Sequence, residues 1–227
     1  MHSDWQKKMY EVFTNQTDLQ FVYSTQSENF ISLKNWKQIR SISNFQVFPK
    51  EDILQEQITA TDGKNGTRAN YLDDYAKKNL HISTILRENL ELFFAKKCVL
   101  VEGPSEKYGL PRLLELSGCN IENFSVSIIP AWGKTKIKNY QMICKVFGID
   151  YFTIYDNDKM KDDEPTNENM AIENNAENGK KTKFSTSFEK KLGVTKDQNF
   201  QKLVKKIDEL SDTNSLDQEI QTCIHDL

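Results

Sequence analysis

Cys98-Val-Leu-Val-Glu-Gly-Pro-Ser-Glu106 and Tyr151-Phe-Thr-Ile-Tyr-Asp-Asn-Asp158 are two apolar, β-rich runs that each end in a pair of carboxylates. Runs of this length and composition predict buried strands of a parallel sheet, and ligands of open α/β sheets bind just beyond the carboxyl ends of such strands. All four acids fall there. Between the two runs, Pro104 and Ser105 suit a first helical turn that includes Glu106, Leu110, Leu113, Leu114 and Leu116 supply a core side, and Gly118 is a stop. Pro111 is expected to bend this helix. Phe124 to Ile129 predicts a strand, Trp132-Gly-Lys-Thr135 a turn, Lys136 to Phe147 a helix ended by Gly148, and Ile149 to Tyr155 a third strand. The order β-α-β-α-β predicts an α/β fold: a Rossmann-like parallel sheet flanked by helices, with right-handed crossovers.

Outward from this block the signals weaken. Toward the N-terminus, Trp5, Met9, Tyr10 and Phe13 have helical spacing, Leu19 to Thr25 reads as a strand, and Ile39 to Ser43 is a second β-like patch. Residues 49 to 70 hold Pro49, Gly63 and Gly66 among polar residues and predict a connector. Tyr71 to Lys97 is apolar at helical intervals and predicts a helix feeding the Cys98 strand. Toward the C-terminus, Met160 to Lys183 is poor in apolar residues and predicts a flexible insert. Helical patterning returns at Phe184 to Leu192 and Asn199 to Leu210.

Composition excludes several classes. The 227 residues are 37% hydrophobic, with a mean hydropathy of −0.65. No window approaches the roughly 18 apolar residues of a membrane helix. The first residues lack the apolar stretch of an export signal. Four cysteines without a Cys-x-x-Cys pair favour reduced thiols in a cytoplasmic setting over zinc. A net charge of −3 argues against holding nucleic acid by bulk electrostatics. Bound divalent cations would reverse the potential at the carboxylates, and local lysine clusters stand at Lys134/Lys136/Lys138 and Lys180/Lys181/Lys183.

Glu102, Glu106, Asp156 and Asp158 could converge on one spot, where four uncompensated carboxylates would repel one another. Their hard oxygen ligands suit Mg²⁺ or Mn²⁺, and two such ions about 3.5 to 4 Å apart can drive phosphodiester cleavage. Each acidic pair alone is commonly a turn or a strand end; joint occurrence in βα order at strand carboxyl ends is what makes the chemistry specific. Gly133-Lys-Thr135 does not complete an ATP-binding phosphate loop, because that motif needs glycine at position 128 and the residue there is Ile128.

Phe93-Phe-Ala-Lys-Lys-Cys-Val-Leu-Val-Glu-Gly-Pro-Ser-Glu106, with Gly133-Lys134 and Asp156-x-Asp158 downstream, resembles the Toprim domain of the OLD (overcoming lysogenization defect) family of nucleases. Those proteins join an ABC-type ATPase to a C-terminal Toprim nuclease. The Thr25 region is similar to the end of such an ATPase domain, with Gln26 where that family places histidine. The resemblance implies a DNA endonuclease of cytoplasmic location with a role in phage defence, normally coupled to an ATPase subunit or domain. It implies metal ligation by Glu102, Glu106, Asp156 and Asp158, acid/base chemistry at Glu102, a further acid for which Glu189 in Ser187-Phe-Glu189 is the best match, and a late lysine among Lys202, Lys205 and Lys206. Gly133, Lys134 and Lys136 are the candidates for contact with nucleic acid. The implied division is residues 1–48 as the tail end of an ATPase domain, 49–95 as linker and helical connector, and 96–227 as a Toprim domain with the insert at 160–183. The alternative is a catalytically inactive or partner-dependent subunit acting as a binding module, and homo-oligomerisation stays open.

Overall fold

A computed structural model of the chain describes residues 3–16, 18–43, 45–59, 65–78, 89–119, 126–157, 166–176, 180–195, 200–214 and 216–227. In chain order its elements are α1 (Ser3–Asn15), β1 (Ser41–Ser43), β2 (Gln46–Phe48), α2 (Glu51–Gln55), β3 (Gln57–Thr59), β4 (Asn65–Thr67), α3 (Arg68–Lys78), β5 (Lys97–Val101), α4 (Pro104–Leu116), β6 (Val126–Pro130), α5 (Lys134–Phe147), β7 (Asp150–Asp156), α6 (Asn167–Asn175), β8 (Lys181–Phe184), α7 (Phe188–Lys191), α8 (Phe200–Asp208) and α9 (Gln218–Asp226). Short 3₁₀ turns occupy Glu28–Phe30, Leu33–Gln38 and Leu90–Phe94.

The central sheet is four-stranded and parallel throughout, in the order β6-β5-β7-β8. Leu100 lies opposite Ile129 on one side and Thr153 on the other, so β5 is paired along both edges. A strand covered on both faces needs apolar residues at every position, and Cys98, Val99, Leu100 and Val101 are all fully buried. Their alternation feeds two cores. Cys98, Leu100, Tyr151 and Tyr155 pack with Ile137, Tyr140, Cys144 and Phe147 of α5 and with Ile172 of α6. Val99, Val101, Phe152 and Ile154 face Leu110 and Leu113 of α4 together with Phe188, Leu203, Ile207 and Ile220 from the C-terminal helices. Among the described residues no helix is long and apolar enough to cross a membrane.

Several expectations are corrected. Residues 19–25 form no regular element and join no ladder among the described residues; Phe21 and Tyr23 instead pack beside Phe13 of α1, with ring centroids 4.8 and 6.0 Å away. The connector expected over 49–70 contains α2 and a β3–β4 hairpin, pinned by a bidentate pair from the buried Arg68 to Glu56 at 2.9 and 2.6 Å. The long helix expected over 71–97 is α3 followed, after residues that lie outside the described set, by the 3₁₀ turn Leu90–Phe94.

Of the segment 160–183, expected as a flexible insert, residues 166–176 and 180–183 contribute α6 and the start of β8, and residues 160–165 and 177–179 lie outside the described set. Its low apolar content misleads because one buried apolar residue, Ile172, seats the helix beside the buried Asn169, and polar anchors add to it. Gln141 donates to the Ile172 carbonyl at 3.3 Å, Tyr151 to that of Asn175 at 2.8 Å, and Tyr155 to the Glu173 carboxylate at 2.8 Å. Capping by Thr166, whose hydroxyl accepts from the Asn169 N–H, starts the helix.

Candidate functional site

Because β5 and β7 are parallel neighbours, the residues that end them meet at one edge of the sheet. Glu102 follows the last residue of β5, and Asp156 is the last residue of β7. The two ends are tied directly: the Asp156 N–H donates to Glu102 Oε1 at 2.7 Å. Glu106 arrives from the first turn of α4, where its Oε2 accepts from the Gly103 N–H at 3.1 Å. This is the half of a capping box that a glycine cap allows. Glu189 enters from the opposite end of the chain on the first turn of α7, which Phe188, fully buried, anchors into the core.

Glu106 is the most buried of these acids and is perturbed first by that burial. Only 5% exposed, its carboxyl is pushed up to about 8 by burial first, opposed by a backbone hydrogen bond, and then by the negative charges of Asp156, Glu102 and Glu189. Burial and the acidic neighbours therefore act together to hold Glu106 protonated at neutral pH.

The positive partner is Lys134, at the first position of α5. Its side chain is 9% exposed, its Nζ lies 3.2 Å from Glu102 Oε1, and it donates to the Asp156 carbonyl at 2.6 Å. One ammonium thus bridges both strand ends. Gly133 makes this reach possible: it caps α5 at φ +124°, a backbone angle that favours glycine, and its N–H donates to the Glu102 carbonyl at 2.8 Å. Lys136 is half-buried in the first turn of the same helix, and a small cavity of about 210 Å³ lies alongside, lined in part by Lys134, Thr135 and Lys138.

The structure therefore brings together Glu102, Glu106, Asp156, Glu189 and Lys134, and leaves the three late lysines on α8, with Lys205 3.7 Å from Glu209. Asp158 lies outside the described residues. Sequence reasoning did not single out Asn89, which is 2% exposed and donates to the Pro130 carbonyl and to Tyr140 Oη, both at 2.8 Å. It fixes the end of β6 just before the Lys134 turn, and nothing in its polar, helix-patterned surroundings marks it.

Residues 93–158, which hold both strand ends and the Lys134 turn, match the family model described as the overcoming lysogenization defect protein-like TOPRIM domain. This part of the chain is similar to an OLD-like TOPRIM domain. No curated protein matches the chain. Among solved structures it is similar to the C-terminal region of the Burkholderia pseudomallei OLD protein, at 14% identity and a TM-score of 0.40 over 58% of this chain and 80% of that one. It is also similar to the C-terminal region of the Xanthomonas campestris pv. campestris OLD protein, at 15% identity and a TM-score of 0.37 over 59% and 78% of the two chains.

A TOPRIM domain of this family implies a divalent metal, and the donor chemistry here fits one. The acids offer only hard carboxylate oxygens, and Glu106, raised first by burial, also feels the negative charges of Asp156, Glu102 and Glu189, which a cation would offset. Among the described residues no group of three or more His, Cys, Asp or Glu side chains is placed so that it could hold a metal ion. Lys134 supplies the countercharge at Glu102.

Proposed function

We propose that this chain is a divalent-metal-dependent DNA endonuclease, a phosphodiester hydrolase that uses Mg²⁺ or Mn²⁺, with two ions. The observation that carries this reading is the meeting of acids from β5, α4 and β7 at the carboxyl ends of adjacent parallel strands, within the residues that match the TOPRIM family model, with Glu189 of α7 joining them from outside that stretch. Glu102, Glu106, Asp156, Asp158 and Glu189 would hold the metal, which when bound supplies an activated water and charge neutralisation at the leaving oxygen. The chain's own groups do the rest. The Asp156 N–H and Lys134 orient Glu102, which is the candidate acid/base group. Lys134 and Lys136 offset part of the acidic charge that would otherwise repel a phosphodiester. Burial keeps a proton on Glu106, and a cation's charge would let that proton leave.

The test is cleavage of supercoiled plasmid with Mg²⁺ or Mn²⁺ by wild type and by Asp156→Ala. Metal-dependent cleavage that the substitution abolishes is expected; equal behaviour of the two proteins overturns the site. A partner-dependent subunit is the second reading, favoured by one observation. Apolar residues of the N-terminal segment stand exposed, Trp5 at 64%, Leu19 at 62% and Val22 at 91%, as a surface that an ATPase subunit or domain would cover. In that case cleavage requires the added ATPase.

A further inference from the structure

Trp132 holds an unusual backbone for its size. Its φ is +56°, in the left-handed region that β-carbon sterics make costly for a bulky side chain. The other non-glycine residue with positive φ among the described residues, Phe45, sits between β1 and β2, where a tight hairpin calls for that geometry. Trp132 closes no hairpin. It follows β6 and precedes α5, in a turn stitched to the Glu102 strand end on both sides. The Ala131 N–H donates to the Val101 carbonyl and the Gly133 N–H to the Glu102 carbonyl, both at 2.8 Å.

These two bonds fix the backbone around Trp132 while its indole stands out, 43% exposed, whereas its neighbour Ala131 is fully buried. Two residues on, Lys134 bridges Glu102 and Asp156. A strained residue persists only where its surroundings over-determine it, and such residues cluster at sites that bind or react. An exposed aromatic side chain on a turn whose backbone is tied to the Glu102 strand end, two residues before Lys134, has one chemical partner that suits it and the phosphate chemistry next door: a nucleobase.

We propose that Trp132 is a stacking platform for an unpaired base adjacent to the phosphodiester bound at the acidic site. The inference rests on the nuclease reading and extends it. In duplex DNA both faces of a base are already stacked, so the platform selects single-stranded, nicked or locally opened nucleic acid. Trp132 is thus a positioning and specificity residue and takes no part in proton or phosphoryl transfer.

The test uses the full chain and a short single-stranded DNA oligonucleotide carrying 2-aminopurine, with Ca²⁺ present, and reads 2-aminopurine fluorescence. Wild type should quench the fluorophore strongly in the single strand and weakly in the matching duplex. Trp132→Ala should lose the quench and bind about 5- to 150-fold more weakly, the equivalent of one stacked base. Trp132→Phe, which keeps an aromatic face, should retain most of both. Trp132→Gly, whose backbone takes φ +56° freely, serves as the second truncation should the alanine variant fold poorly. Equal binding and quenching by wild type and a folded Ala or Gly variant overturns the proposal, as does a wild type that neither binds nor quenches. The plasmid assay with Asp156→Ala separates the two readings. If that substitution abolishes cleavage while truncating Trp132 changes nothing, only the stacking role falls. If Asp156→Ala cleaves as wild type does, the nuclease site falls, whatever the fluorescence shows.

Discussion

Replacing Glu106 by glutamine should remove a specific pH dependence of stability. In the folded, metal-free protein this carboxyl titrates at about 8 against an ordinary value of 4.5, because it is buried and faces Asp156 of β7, Glu102 at the end of β5 and Glu189 of α7. The sign follows from proton linkage. Between pH 4.5 and 8 the native state holds a proton that the unfolded chain releases, so stability is highest below 4.5 and falls as pH rises through 8. At 1.36 kcal/mol per tenfold change, the full effect is about 5 kcal/mol, of which about 4 kcal/mol falls between pH 5 and pH 9.

Glutamine carries no charge, has nearly the same shape, and can still accept from the Gly103 N–H. In EDTA, the wild type should therefore lose about 4 kcal/mol more than Glu106→Gln between pH 5 and pH 9, or roughly 8–16 °C in melting temperature for a chain of this size. Urea unfolding at each pH measures it directly. Adding Mg²⁺ at pH 9 should raise the wild type more than the variant. Parallel stability curves for the two proteins, within about 1 kcal/mol, would refute the burial and clustering argument.

Two further perturbations probe how the site is assembled. A β-carbon at Gly109 would stand 2.8 Å from the Phe188 ring and 3.0 Å from Ile207, and Phe188 is itself fully buried beside Phe184. In Gly109→Ala the gain of about 1 kcal/mol in helix propensity is outweighed by overpacking of about 1–3 kcal/mol, so denaturant unfolding should show a net loss of up to about 2 kcal/mol. Because Glu189 follows Phe188, the same variant should bind Mn²⁺ more weakly by calorimetry. Lys134→Met removes the ammonium between Glu102 and the Asp156 carbonyl. In EDTA it should cost about 1–3 kcal/mol, less than a fully buried pair because Glu102 is partly solvated. Mg²⁺ should restore part of that loss in a thermal melt, since a divalent cation replaces the missing charge.

Much of the site was legible before any coordinates. The parallel sheet follows from Val99-Leu-Val101 and Phe152-Thr-Ile154, where apolar residues on both faces of a short strand leave no solvent side. Once β5 and β7 are parallel neighbours, Glu102 and Asp156 must end at the same edge, and Pro104 after Gly103 places Glu106 one turn into a helix. Short-range pattern failed where stability came from single distant contacts. Residues 19–25 have strand composition, but a strand needs a neighbour to accept its hydrogen bonds, and aromatic packing on α1 takes its place. Residues 160–183 read as a polar insert, yet Ile172 and three long-range hydrogen bonds seat residues 167–175 on the sheet.

By itself, then, the sequence determined the sheet, the carboxylates at its edge and the glycine that turns the chain toward them, because periodicity and strand-end position are local properties. Only the tertiary structure decided which charges meet. Glu189 reaches Glu106 from more than 80 residues away because Phe188 fills the space that Gly109 leaves open. Lys134 is turned into the acidic cluster instead of toward solvent because Gly133 and Trp132 adopt positive φ between two backbone hydrogen bonds. Spacing along the chain encodes neither, since burial and electrostatic coupling depend on distances that exist only once the helices have packed.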